Sequence, residues 1–339
     1  MAQAGVWSKF FAATGLCCMA LFGCEPSPDG SGQPNNAATS VSPVADVNVP
    51  SFNQDSAYGW VRSQVEFGPR IPNSEAHEKC ANFLKAELER LGWSVAFQEG
   101  EMPAFDKSRL KLKNIIASLN TDSKDRILLA SHWDTRPWAD QDTGRIMEPI
   151  DGANDGGSGV GILLEVARQL AISKPTISVD IILFDGEDYG QPEFSNDPPQ
   201  EHSYCLGSQY WARNLHTSGY FARYGILLDM VGAKGARFAR EGRSMYYAEN
   251  IVNKVWNMAA KHGYSDRFLY QKAPAITDDH YYINEIVGIP TIDIVEYAED
   301  TRKYFGAYWH THQDNMEVID PLTLRAVGQT LLEVIYREQ

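Results

Sequence analysis

Four apolar runs that each close on acidic residues constrain the fold of this chain more than any other feature. Runs of this kind are typical of strands that are buried on both faces of a sheet. Stretches with helical spacing separate them, so strands and helices alternate along the chain. That alternation predicts one doubly wound α/β domain. The four runs read "RILLASHWDT", "ISVDIILFDGED", "YGILLDMVGA" and "GIPTIDIVEY".

The clearest helix lies ahead of these runs, in residues 73–92. Its apolar residues recur at intervals of three and four, which is the period of one helix face. Gly92 supplies the stop signal at its end. The predicted apolar face comprises Ala76, Cys80, Phe83, Leu84, Leu88 and Leu91.

The acids that end the four runs predict a ligand site. Asp134, Asp229, Asp293 and the acids of residues 185–188 each lie at or near the end of an apolar strand. Open α/β sheets bind ligands just beyond the carboxyl ends of their strands. Acids gathered there repel one another unless a cation holds them together. The alternative is a scatter of solvated loop acids, since the chain carries a net charge of −14.

The residue types at these positions favour zinc. Aspartate, glutamate and histidine form a zinc-binding set that needs no cysteine. Catalytic zinc takes three protein ligands and keeps one position for water or substrate. The chain offers more than three candidates, so either two metals bind or some acids serve as bases and substrate anchors. The candidates are His132, Asp134, Asp155, Glu187, Asp188, Asp229 and His310.

Seven motifs in one order carry a family resemblance that covers the chain from Phe52 to its end. The order resembles the zinc-aminopeptidase-like fold, and more closely the glutaminyl cyclases of the animal type with their bacterial relatives. The resemblance implies a single three-layer α/β domain, with a mostly parallel mixed central sheet and helices on both faces. The motifs are "SHWD", "GANDGGSG", "FDGED", "LLDMVG", "TDDHYY", "GIPTIDI" and "WHTHQDN".

Carried over by position, the resemblance implies a role for each of seven residues. Asp155, Asp188 and His310 would bind one zinc ion. Glu187 would be the general base and acid, with Asp229 and Asp278 as the acidic group beside it. Trp309 would line the pocket for the substrate side chain. These residues would convert N-terminal glutamine of peptides or proteins to pyroglutamate with release of ammonia.

The chain departs from the family pattern at two of these places. Asp188 stands where the family commonly has a second glutamate, and its shorter side chain requires the backbone to come closer to the metal. Asp293 stands where the animal enzymes have a histidine near the site. The glycines around Asp155 predict a tight backbone turn that brings this residue into the site.

Two other functions remain open on the sequence. A di-zinc aminopeptidase could draw its five ligands from His132, Asp155, Asp188, Asp229 and His310, and would then hold two zinc ions. A surface lipoprotein that binds zinc without catalysis is the second alternative, although a base beside the ligands argues against it. The acidic charge and the lack of a basic run exclude nucleic acid as a partner. We expect a monomer.

The first residues predict export and lipid anchoring. Residues 10–23 are apolar or small, which suits a secretory signal and is short of the about 20 residues that span a bilayer. The sequence around Cys24 resembles a bacterial lipoprotein signal, cleaved before Cys24 and lipidated on its sulfur. An ordinary cleaved signal and an uncleaved anchor are the alternatives. Glu25 favours the outer membrane if the source is Gram-negative.

The remaining N-terminal sequence sets the domain boundaries. Residues 24–51 are rich in Pro, Ser, Gly and Asn and predict a flexible tether. We therefore expect a signal in residues 1–23 and a catalytic domain in residues 52–339. Two cysteines, Cys80 and Cys205, remain in that domain, either as one disulfide or as two buried thiols.

Overall fold

The computed structural model describes residues 47–301 and 303–338. The predicted signal, the lipid-bearing Cys24 and most of the predicted tether lie outside these residues. Within them, Val47 and Val49 already pack against the core, and Gln329 donates to the Pro50 carbonyl at 3.3 Å. No helix in this part of the chain is long and apolar enough to cross a membrane.

Helices and strands alternate as the sequence predicts. The strands are β1 (Ser94–Pro103), β2 (Arg109–Leu119), β3 (Arg126–His132), β4 (Ser178–Phe184), β5 (Gly225–Asp229), β6 (Phe238–Arg240), β7 (Phe268–Lys272) and β8 (Thr291–Val295). The helices are α1 (Gln54–Val65), α2 (Glu75–Arg90), α3 (Gly157–Ile172), α4 (Leu206–Arg213), α5 (Gly242–Lys261), α6 (Asp279–Tyr282) and α7 (Pro321–Tyr336).

Six strands form a mixed central sheet in the order β1-β2-β4-β3-β5-β8. The four strands built from the apolar runs, β3, β4, β5 and β8, are parallel to one another, and β1 and β2 add an antiparallel edge. Both faces are covered: Ile127 and Leu129 of β3 pack in the larger core, whereas Leu128 packs with α4 in a smaller one. The predicted three-layer α/β fold is confirmed.

Helix α2 illustrates how sequence sets these elements. Ser74 caps it by accepting from the His77 backbone N–H, and Cys80 and Leu88 on its inner face are fully buried. Burial of a leucine side chain of this size contributes about 1.5–3 kcal/mol. Gly92 has a φ of 87°, a left-handed conformation that ends the helix as predicted.

Helix α5 is kinked near its N-terminal end, and the backbone angles locate the kink. Ala248 has non-helical angles (φ −145°, ψ 43°), so α5 is two helical segments joined at a kink. The amphipathic pattern belongs to the second segment. Strands β6 and β7 and the π-helical turn Ile283–Val287 are too short to leave a periodic signal.

Candidate active site at the carboxyl edge of the sheet

The strand ends bring the predicted residues together at one edge of the sheet. All seven predicted site residues line a single cavity of about 480 Å³. Its volume suits a short peptide end or another small ligand. The seven are Asp155, Glu187, Asp188, Asp229, Asp278, Trp309 and His310.

Asp155 enters this cavity on the loop between β3 and α3. Gly156 follows it with a φ of 80°, and a Cβ there would lie 2.9 Å from the Asp134 carbonyl oxygen and from His132 Cε1. Only glycine lets the backbone turn at this distance. Asp314 then fixes the loop, because its carboxylate accepts from the backbone N–H groups of Asn154 and Asp155 at 2.7 and 3.0 Å.

Three donors form a cluster that we name the His310 cluster: Asp155, Asp188 and His310. Their ligand atoms lie within 4.8 Å of one another, and all three residues are buried. His310 Nε2 is 3.2 Å from Asp188 Oδ1 and 3.7 Å from Asp155 Oδ2. Donors of a tetrahedral zinc ion lie about 3.4 Å apart, given bonds of about 2.1 Å.

The outer nitrogen of His310 is held in place by a carboxylate. His310 Nδ1 lies 3.1 Å from Asp140 Oδ1, which directs Nε2 towards the two other donors. Arg136 in turn holds Asp140 through two hydrogen bonds of 2.8 and 2.7 Å. Burial opposes ionisation, but the bonds from Arg136 and His310 lower the pKa of Asp140 well below its usual range.

The residues present fit a zinc ion. Asp188 Oδ2 is buried without a hydrogen-bond partner, an arrangement that is costly unless a cation or another polar group satisfies it. The Asp188 backbone is also drawn in, since its N–H donates to Asp134 at 3.1 Å and its carbonyl accepts from Arg136 at 2.9 Å. These two bonds fix the backbone at a place from which the short side chain of aspartate reaches the His310 cluster.

Glu187 lies beside the His310 cluster on the turn after β4. Its backbone N–H donates to Asp134 at 3.1 Å, and its carboxylate accepts from the Cys205 thiol at 3.2 Å. Burial raises the pKa of Glu187 well above its usual range, and the charges of Asp278 and Asp188 raise it further. A carboxyl group with a raised pKa holds a proton more readily than an ordinary glutamate, which suits a general base that must later act as an acid.

A second cluster shares Asp155 with the first; we name it the His132 cluster, formed by His132, Asp155 and Asp229. His132 Nε2 lies 3.0 Å from Asp155 Oδ1 and 3.1 Å from Asp229 Oδ1. These are ordinary N–H···O lengths. His132 Nδ1 is buried without a hydrogen bond, and its nearest carboxylate, Asp134, is 3.5 Å away.

The acidic group predicted beside Glu187 is buried. Asp278 caps α6 and lies within 4.8 Å of Glu187 and Cys205. Asp293, at the position where the animal enzymes have histidine, is fully buried within β8, and its Oδ2 is 3.8 Å from His280 Nδ1. Burial raises the pKa of Asp278 and of Asp293, with neighbouring carboxylates adding to Asp293.

Trp309 forms part of the cavity wall. Its ring stacks on His310, with centroids 3.7 Å apart, and contacts Phe305 at 5.0 Å. His310 itself adopts a left-handed conformation (φ 55°), which is costly for a residue with a Cβ. The local chain is therefore held in place to present these two side chains.

Several residues that support the site were not predicted from the sequence. Asp140, Arg136 and Asp314 were not identified as parts of the site, although "RPWAD" places Arg136 and Asp140 four residues apart. Cys205 was expected to be either half of a disulfide or a buried thiol, with no role in the site. Cys80 and Cys205 are both free and buried, so the thiol alternative is confirmed.

Comparisons with known proteins agree with this geometry. The model of peptidase family M28 matches residues 114–335. A solved glutaminyl cyclase from Bacteroides thetaiotaomicron, bound to N-acetylhistamine, is 50% identical, with a TM-score of 0.84 over 86% of this chain and 100% of that one. A Zn-dependent exopeptidase from Parabacteroides distasonis gives the same identity, coverage and TM-score.

A more distant relative comes from an animal. The glutaminyl-peptide cyclotransferase of Drosophila melanogaster is 24% identical over 281 residues, which are 75% of this chain and 73% of that protein. The family resemblance predicted from the seven motifs is thereby confirmed.

Proposed function

Because the chain belongs to peptidase family M28, we propose that it is a zinc-dependent glutaminyl-peptide cyclotransferase. It converts the N-terminal glutamine of peptides or proteins to pyroglutamate and releases ammonia. The observation that carries this proposal is the His310 cluster, in which Asp140 orients the histidine and Asp188 Oδ2 is buried without a hydrogen-bond partner. The names of the relatives support the same reaction.

Asp155, Asp188 and His310 would hold one zinc ion. When bound, zinc polarises the γ-amide carbonyl of the substrate glutamine and stabilises the negative charge that develops on its oxygen. Asp140 keeps His310 in the orientation that this requires. We propose one zinc ion per chain, with Asp155 also in contact with His132.

Glu187 moves the proton. It accepts a proton from the substrate α-amine as the bond from this nitrogen to the γ-amide carbon forms. It then gives the proton to the amide nitrogen as the old carbon–nitrogen bond breaks and ammonia leaves. The raised pKa of Glu187 suits both steps, because the group must hold and release a proton in one cycle.

Asp278 and Asp229 form the acidic group beside Glu187, and Asp278 supports the transfer through its charge. Both line the cavity, and Asp278 helps to raise the pKa of Glu187. Trp309 and Phe305 form an apolar wall against which the substrate side chain packs in its bent form. A substrate held in that form closes its ring without the entropy cost of a free chain end.

The second candidate is a di-zinc aminopeptidase. One observation favours it: His132 and Asp229 lie within reach of the shared Asp155, as a second metal site would require. The two reactions differ in their products, because a cyclase releases ammonia and keeps the peptide length, whereas a peptidase frees an amino acid. A zinc-binding lipoprotein without catalysis yields neither product.

Incubation of the folded domain with glutaminyl peptides and with aminoacyl anilides therefore tests the proposal. We expect ammonia from the first and no product from the second. Glu187→Gln should keep its zinc and lose nearly all turnover, whereas the control Glu317→Gln, at an exposed position, should match the unmodified chain. Turnover retained in Glu187→Gln would overturn the assignment of the base.

We also propose that the chain is exported and anchored by lipid at Cys24, so that it acts at the bacterial cell envelope. The apolar segment before Cys24 and the polar segment after it support this. Cys24→Ser should move the protein from the membrane fraction to the soluble fraction. A membrane fraction unchanged by Cys24→Ser would contradict lipidation.

A further inference from the structure

Cys205 is the one thiol in the described part of the chain that contacts a proposed catalytic group. Its Sγ lies 3.2 Å from Glu187 Oε1, and its backbone N–H donates to the Glu187 carbonyl at 2.9 Å. The same residue therefore holds the main chain and the side chain of Glu187. Cys80, the other buried thiol, packs in the core on α2.

The backbone of Cys205 shows that this contact is imposed by the fold. Cys205 immediately precedes α4 in a left-handed conformation (φ 58°, ψ 36°), which a residue with a Cβ adopts only when its surroundings require it. Leu206 continues the attachment, since its N–H donates to the Gly186 carbonyl at 3.0 Å. The start of α4 is thus hydrogen-bonded to the turn that carries Glu187.

The thiol acts as a donor in this contact. Cys205 is fully buried, and burial raises the pKa of its thiol well above the usual range, with the charges of Glu187, Asp279 and Asp278 adding to it. The sulfur therefore keeps its proton, and a carboxylate oxygen is the acceptor beside it. A thiol is a weak donor, and the Glu187 carboxyl group can accept its hydrogen through Oε1 whether or not the group is ionised.

We propose that Cys205 is a positioning residue for the proposed cyclisation, whose thiol fixes Oε1 of Glu187 and so leaves Oε2 to exchange the proton with substrate. The two oxygens are already distinct in the structure, because Oε1 faces Cys205 while Oε2 lies 4.0 Å from His132 Nδ1. This inference rests on the proposed function, since it gives Glu187 the role of base.

Cys205→Ala and Cys205→Ser test the proposal. Both replace sulfur with a smaller group, but only serine keeps a donor. We expect kcat to fall about ten-fold in Cys205→Ala with KM unchanged, because the lost bond orients a group that acts in the transition state. Cys205→Ser should recover at least half of the lost activity. Equal losses in both variants, or a loss confined to KM, would overturn the proposal.

Cys80→Ala is the matched control, because it removes a fully buried thiol that packs in the core on α2. It should lower the melting temperature without changing kcat. If Cys205→Ala does not fold, Cys205→Gly provides a donor-free variant that suits the positive φ. Unchanged kcat in a folded donor-free variant would also overturn the proposal.

A double variant separates this inference from the proposed function. In the Glu187→Gln background, Cys205→Ala should cause no further loss, because the group that the thiol positions is gone. If Glu187→Gln is inactive while Cys205→Ala is fully active, the positioning role of Cys205 is contradicted and the role of Glu187 as base stands. A fully active Glu187→Gln would instead remove the proposed base, and with it the basis of this inference.

Discussion

The His310 and His132 clusters contain the same residue types and share Asp155, yet they differ in how each histidine is held. The outer nitrogen of His310 is fixed by Asp140, and its inner nitrogen faces two carboxylates across gaps of 3.2 and 3.7 Å. The inner nitrogen of His132 is at hydrogen-bond distance from two carboxylates, and its outer nitrogen has no hydrogen bond. We therefore assign the proposed zinc ion to the His310 cluster, whose histidine is oriented from outside the cluster, rather than to the His132 cluster.

The difference teaches that a set of metal-ligand residue types does not define a metal site. A histidine ligand needs an outer partner that fixes its tautomer and its orientation. His310 has that partner and lines the cavity, whereas His132 is not among the described residues of the cavity wall. This contrast supports the proposal of one zinc ion per chain, bound at the His310 cluster.

The largest expected effect contrasts the two histidines directly. His310→Ala should lose its zinc and reduce glutaminyl-peptide turnover about 1,000-fold or more, because charge stabilisation by the metal is worth several kcal/mol. His132→Ala should keep its zinc and lose about ten-fold. Zinc content by atomic emission, measured beside turnover, checks both variants. Loss of zinc from His132→Ala would contradict the assignment of the zinc ion to the His310 cluster.

The next effect concerns one carboxylate partner of each histidine: Asp140 for His310 and Asp229 for His132. Asp140→Asn removes the charge that orients His310, so zinc affinity should fall about 10- to 100-fold. Asp229→Asn changes the partner of His132 and should leave zinc affinity unchanged. Competition with a chelator measures both affinities. A matching fall in Asp229→Asn would assign Asp229 to the metal.

The tryptophans next to the two histidines sharpen the comparison further. Trp309 lines the cavity, so Trp309→Phe should raise KM for glutaminyl peptides several-fold and leave the unfolding free energy nearly unchanged. Trp133 is fully buried and stacks on His77, so Trp133→Phe should cost about 1–3 kcal/mol of unfolding free energy and leave KM unchanged. Urea unfolding and steady-state kinetics separate the two outcomes.

The smallest effect on activity is expected at Glu296, which accepts from Tyr308 in the loop that carries His310. Burial raises the pKa of Glu296 to about 8, and the charges of Asp314 and Asp229 add to it. The folded state therefore binds a proton that the unfolded state releases above about pH 4.5. The contribution of Glu296 to the free energy of unfolding is therefore complete below about pH 4.5 and is lost as the pH rises through about 8.

Glu296→Gln removes this titration. Its unfolding free energy should rise relative to the unmodified chain as the pH goes from 5 to 8, by a few kcal/mol at most. Urea unfolding across this range checks the slope, with the exposed Glu249→Gln as control. A difference that stays constant with pH would show that Glu296 keeps its charge in the folded state.

The residues at strand ends were predictable because the periodicity of the strands fixes where they lie. His132 and Asp229 end β3 and β5, and Glu187 and Asp188 follow β4 closely. Parallel strands place their carboxyl ends at one edge, so the common cavity follows from the pattern. The order of the motifs then supplied the expected role of each residue.

The supporting contacts were not predictable, because they join segments that carry no periodic signal. Asp140 reaches His310 across 170 positions, and Cys205 reaches Glu187 only after a Pro-rich loop folds back. The same holds for Asp314, whose bonds to the Asp155 loop span 159 and 160 positions. Spacing along the chain cannot reveal which of many loop acids makes such a contact.

Zinc stoichiometry of the folded, metal-saturated domain tests the central claim most directly. After removal of loosely bound metal, atomic emission should give one zinc per chain, and the same value should hold in His132→Ala. Turnover of a glutaminyl peptide should reach its maximum at that single equivalent. Two zinc ions per chain, with activity that requires the second, would contradict the account and favour the di-zinc peptidase.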